Sequence, residues 1–167
     1  MDEREILELN MSRYDNYIEK ADNKASFILA LTGVLLGGLV FQSNDILNII
    51  HNNILKKVTI FNLMGISILL IVSSFLALKV ILPSTSKSTV KSIFYFNDIV
   101  EYTEEEYKKK LQEINNEKAI DDLRRQVLQL GNICTIKMNS IKLSLQFLLA
   151  TGILIIIQLL IIFISLY

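Results

Sequence analysis

Three stretches of this chain carry no charged side chain: residues 25–44, 58–78 and 143–167, of 20, 21 and 25 residues. Each is dense in Leu, Ile, Val and Phe. A bilayer core about 30 Å thick is crossed by about 20 helical residues, and all three stretches reach that length. The chain has 167 residues, 51% of them apolar and only 20% charged. Three such helices in a water-soluble core would lack a polar shell to cover them. The pattern therefore predicts an all-α membrane protein with three transmembrane helices.

Lys and Arg counts on the flanks set the expected orientation. Residues 1–24 hold four, the segment between the first two spans holds Lys56 and Lys57, and residues 79–142 hold eleven. The reading is a cytoplasmic amphipathic helix over 1–24, a first span over 25–44 and an external loop over 45–57. A second span over 58–82, a cytoplasmic helical region over 83–142 and a third span over 143–167 complete it. The flank ahead of the first span is acidic rather than basic, which argues against a cleaved signal peptide.

The extensions read as helices continuous with the spans. Leu7, Met11, Tyr14, Ile18, Ala21, Ala25 and Ile28 recur at steps of three and four, drawing one apolar stripe that runs directly into the first span. Pro83 closes the second span, and residues 84–92, rich in Ser, Thr and Lys, read as a loop. The aromatic run Phe94, Tyr95, Phe96 follows. Thr103 with Glu106 makes a capping-box pattern, and Tyr107, Leu111 and Ile114 predict a short helix that Asn115 and Asn116 interrupt. From about Glu117 the stripe restarts through Ile120, Leu123, Val127, Leu130, Cys134 and Ile141, with Lys137 occupying one stripe position. One long helix is expected from there into the third span, weakened at Gly131. Two projecting helices with apolar stripes need a partner surface, within the chain or on another subunit.

Catalytic constellations are absent from the sequence, so no enzyme activity and no cofactor is expected. His51 has no ligand cluster around it, and Cys134 sits on an apolar stripe, where a packing role outweighs a nucleophile. Glu104, Glu105 and Glu106 are explained by the cap and the helix dipole. Zero net charge gives no pull toward a nucleic acid polymer. Gly33 and Gly37 form a GxxxG pattern, read either as a helix contact that sets oligomerisation or as packing within one subunit. Gln158 lies mid-span and must face a helix or a pore, because an amide in hydrocarbon needs a partner. Two clusters have the chemistry for a small phosphate-bearing ligand: Asp22, Lys24 and Ser26 at the edge of the first span, and Lys87 and Lys91 with Phe94, Tyr95 and Phe96. The competing reading has Asp22 and Lys24 making interfacial ion pairs and the aromatics forming the core of the cytoplasmic bundle.

The run Tyr17 to Ser26, with its Asp22-x-Lys24-Ala25 centre, leads straight into a span and resembles the signature of the Pycsar transmembrane effector family. Leu82-Pro83 at the end of the second span is similar, as are the Phe94-Tyr95-Phe96 run and the long helix through Arg125-Gln126 and Lys137. The resemblance covers essentially the whole chain. It implies a bacterial anti-phage effector of the inner membrane, multi-pass with a cytoplasmic N-terminus, acting by abortive infection. A cyclic pyrimidine mononucleotide, cyclic CMP or cyclic UMP, would be the activating ligand, the lipid bilayer the target and a homo-oligomer the acting form. The alternative is a non-enzymatic membrane scaffold that binds a protein partner through its cytoplasmic helices.

Overall fold

The apolar stripe that starts at Leu7 lies on a single unbroken helix, α1 (Glu3–Ile49), in the computed structural model, which describes residues 2–83 and 92–166. Next come α2 (Asn53–Ile81), the single turn α3 (Phe96–Ile99), α4 (Glu104–Glu113) and the 51-residue α5 (Asn116–Leu166). No strand occurs among the described residues. Helical structure extends over most of 45–57, leaving only residues 50–52 between α1 and α2. Asn52 starts α2 by accepting from the amides of Ile54 and Leu55 at 2.8 and 3.4 Å, satisfying donors that have no partner inside the helix. At the other end Leu82 is extended, at φ −60° and ψ 138°, as the residue before a proline must be. The capping box at Thr103 forms as its spacing predicts: Thr103 N donates to Glu106 Oε2 at 3.0 Å and Glu106 N to Thr103 Oγ1 at 3.3 Å. Asn115 opens α5 by accepting from Lys118 N.

The chain divides into two units: Met1–Lys20 with Pro83–Ile136, and Ala21–Leu82 with Lys137–Tyr167. In the first, Leu7 of α1 packs on Leu123 and Val127 of α5, flanked by Met11, Tyr14 and Ile120. The two predicted stripes thus find each other. The stripe expected on α4 does not close in the same way: α4 buries no residue, and Leu111 is 47% exposed. Gly131 is absorbed into α5 without a break, and a Cβ there would meet the Tyr14 ring at 3.7 Å, an ordinary contact. Gly131→Ala is therefore expected to stabilise the protein by up to about 1 kcal/mol through helix propensity alone. A raised melting temperature in detergent would register it.

The second unit holds polar side chains in its interior and large apolar ones on its surface. Thr32, Thr59, Asn62, Ser73, Ser144, Thr151 and Gln158 are buried, while Phe27, Val34, Phe41, Phe61, Phe75 and Leu149 lie at least two-thirds exposed. Each buried polar group is bonded. Asn62 Nδ2 donates to Gln158 Oε1 at 3.0 Å and to the Leu154 carbonyl at 3.1 Å. Ser74 donates to Thr32 at 2.7 Å, and Ser73 and Ser144 exchange bonds near 3 Å. Polar side chains linking helices inside, with an apolar surface outside, are the arrangement of helices in lipid rather than water. Leu63, Ile66 and Leu70 fill the space between these bonds. Three helices, α1, α2 and α5, are long and apolar enough to cross a membrane.

Candidate functional site

Asp122 and Gln126 lie one turn apart on α5, beside the Leu123–Val127 stripe, and both are less than a tenth exposed. The folded chain brings Ser92 to them. Asp122 Oδ2 accepts from Ser92 Oγ at 2.8 Å and from Ile93 N at 3.0 Å, and Gln126 Nε2 donates to Ser92 Oγ at 2.7 Å. The same hydroxyl oxygen accepts from the amides of Phe94 and Tyr95, while Ser92 N donates to Asp98 Oδ2 at 2.8 Å. Arg125 completes the group with a 3.5 Å bond to Asp122 Oδ1. One serine thus ties the start of the 92–102 segment to α5, and the buried carboxylate has bonds on both oxygens. Next to it on α5, Arg124 donates to Glu3 of α1 and to Asp121, and the bond to Glu3 holds its guanidinium above its ordinary value.

Beside this anchor lies a cleft of about 310 Å³, lined from one side by Lys110 and Glu113 of α4 and from the other by Lys118, Asp121 and Arg125 of α5. Tyr102 and Ile93 also line it. Of its acids, Asp121 bonds Arg124 and Asp122 is held as described, while Glu113 lies 4.0 Å from Lys109 with both side chains more than half exposed. Lys110 and Lys118 make no ion pair among the described residues. The cleft lining is thus formally neutral, with the two ammonium groups of Lys110 and Lys118 outside any ion pair among the described residues, next to an aromatic ring.

The residues expected from sequence are distributed differently. Asp22 makes an ion pair, as the competing reading had it, and its partner is Lys137 of α5 at 2.5 Å. Lys24 is exposed, and with Asn23, Phe27, Ile28 and Leu145 it lines an open groove of about 340 Å³. Ser26 bonds back to the Asp22 carbonyl within the helix. Asp22 and Lys24 belong to one unit; Phe94 and Tyr95 belong to the other. Phe94 is 45% exposed, so it does not form the core that the competing reading gave it. The Tyr95 hydroxyl accepts from Asn97 at 3.3 Å. Phe96 begins α3; its side chain, Lys87 and Lys91 lie outside the described residues. Gly33 and Gly37 have open space where a Cβ would stand, so neither marks a close helix contact within this chain. Cys134 is a free, half-buried thiol and His51 is exposed.

Sequence reasoning missed Ser92, Asp98 and Asp122, and with them the cleft residues Tyr102, Lys110 and Lys118. The available signal was the Asp122–Gln126 pair at i and i+4, straddling an apolar stripe. A polar pair in that position reads equally well as the edge of a solvated face.

The fold and the site define a class: a helical membrane protein whose three long apolar helices accompany a polar helical unit with a bonded anchor and an open cleft. The family model described as Pycsar effector protein domain matches residues 6–164, and the chain belongs to that family. It is accordingly an anti-phage membrane effector. No curated protein and no solved structure matches it.

Proposed function

We propose that this effector responds to a cyclic pyrimidine mononucleotide, cyclic CMP or cyclic UMP, by impairing the bacterial inner membrane, so that an infected cell dies before phage spreads. It does so without catalysis of its own. The observation that carries this reading is the family match over residues 6–164. The unbroken course of α1 and α5 supports it, since each helix has a polar part and an apolar part without an intervening loop. Residues 1–24 and 83–142 lie in the cytoplasm, where the nucleotide is made, and residues 45–57 face outward, in keeping with the Lys and Arg bias. Ligand binding among the helices outside the spans shifts their packing, and α1 and α5 carry that shift into the bilayer.

Three helices alone enclose no aqueous path, so copies of the chain act together. Gly33 and Gly37, which have no close neighbour within the chain, suit a contact between copies, where small residues let helix backbones approach in lipid. Gly33→Leu is expected to leave the melting temperature of the monomer unchanged and to reduce the cross-linked oligomer in membranes. An unchanged oligomer would remove that role from Gly33.

Membrane potential in cells co-expressing a pyrimidine cyclase tests the function as a whole. Depolarisation that depends on both proteins is the expected result. Steady potential, with the effector present in the membrane fraction and the cyclic nucleotide at measurable levels, overturns the reading.

A further inference from the structure

We propose that the cleft between α4 and the first turns of α5 is the nucleotide site of this effector, with Lys110 and Lys118 on the cyclic phosphate and Tyr102 stacked on the pyrimidine. The inference rests on the nucleotide reading above and narrows it to one place in the fold. Three observations lead there. The cleft measures about 310 Å³, inside the range of about 300–1,000 Å³ in which small-ligand sites occur. Its lining carries three cations and three carboxylates; Asp121 is bonded to Arg124 and Asp122 to the Ser92 anchor, while Lys110 and Lys118 make no ion pair among the described residues, which leaves two ammonium groups to meet an anion. Tyr102 lines the cleft with its ring 6.2 Å from that of Tyr107 at a tilt of 34°, and an aromatic ring is the kind of surface on which a base stacks.

The state of α4 points the same way. This helix buries none of its residues. Its hold on the rest of its unit includes one bond from the Tyr107 hydroxyl to the Ile93 carbonyl at 3.3 Å. A ligand bonded to Lys110 of α4 and Lys118 of α5 bridges the two helices and strengthens the hold of α4 on α5. Binding then draws α4 against α5 beside the Ser92–Asp122 anchor, which makes the cleft a clamp as well as a site. By comparison, the groove at Lys24 has Phe27, Ile28 and Leu145 as walls and a single cation, a poorer match to a phosphate-bearing ligand.

The test is calorimetry of the full-length protein in nanodiscs against cyclic UMP, cyclic CMP and inorganic phosphate. Wild type should bind one of the cyclic nucleotides. Lys110→Ala with Lys118→Ala should weaken that binding about a hundredfold, roughly tenfold for each charge-assisted bond lost, whereas Lys108→Ala, on an exposed position outside the cleft, should leave it unchanged. Tyr102→Leu should weaken it at least tenfold, and Tyr102→Phe, which keeps the ring face, should retain it. Melting curves identify any variant that fails to fold, and Lys110→Gln with Lys118→Gln then takes its place. Wild-type affinity in the folded double variant overturns the site while leaving the nucleotide reading standing. Phosphate binding as tight as the nucleotides overturns the stacking role of Tyr102. If wild type binds neither cyclic nucleotide, the nucleotide reading fails and the site assignment fails with it.

Discussion

Asp122→Ala is expected to destabilise the unit that contains it by roughly 3 kcal/mol, the cost of losing two bonds to a buried charged acceptor at about 1.5 kcal/mol or more each. The carboxylate is only 5% exposed, and its removal strands the Ser92 hydroxyl and the Ile93 amide at a site that water reaches poorly. Arg125 loses its partner as well. Ser92 organises the amides of Phe94 and Tyr95, so the damage should spread from α5 into the segment that precedes α4. Hydrogen exchange reads this directly: amides 93–95 should lose protection before those of the Asn62–Gln158 region do. Asp122→Asn keeps an acceptor of the same shape and should cost much less. Equal protection in wild type and Asp122→Ala would show that the anchor contributes nothing.

The second large effect concerns Lys137, the one charged residue on the apolar stripe of α5. Its side chain is 8% exposed, that of its partner Asp22 is 35% exposed, and the two meet at 2.5 Å. The unequal burial makes the two single substitutions unequal. Asp22→Ala leaves an ammonium group buried without a counter-charge, at a cost of about 3 kcal/mol or more. Lys137→Met removes the buried charge, fills the same space with an apolar chain, and leaves a carboxylate that reaches water. It should be nearly neutral. Asp22→Ala combined with Lys137→Met should recover most of the stability lost in Asp22→Ala alone. Chemical denaturation in detergent, run as a double-mutant cycle, gives all four values. Equal losses from the two single substitutions would contradict the account. This pair also explains how a lysine is tolerated on a stripe that is otherwise apolar.

Much of the fold was legible because its signals are local. A run of uncharged residues long enough to span a bilayer, a proline after Leu82, a Thr103–Glu106 cap and a paired Asn115–Asn116 each act over a few neighbouring residues. Each produced the element it predicts. The alternating steps from Leu7 to Ile28 and from Ile120 to Ile141 also identified the faces that pack. Mid-span Gln158 required a polar partner on general grounds, and Asn62 supplies it. The short stripe on α4 was the exception, since Tyr107, Leu111 and Ile114 made a helix without a buried face.

The site was far less legible. Ser92 and Asp122 are 30 residues apart in sequence, and Asp22 and Lys137 are 115 apart. A charged or polar residue at the border of an apolar stripe has the same appearance whether it faces water or a partner. Choosing between those outcomes requires the neighbour that another helix brings up. The sequence by itself determined that this chain is helical, that three of its stretches match the thickness of a bilayer, and where most helices begin and end, because hydrophobic length and capping are properties of contiguous residues. Only the tertiary structure decided which carboxylates and lysines pair among the described residues, because charge matching depends on distances between side chains that the chain order does not set.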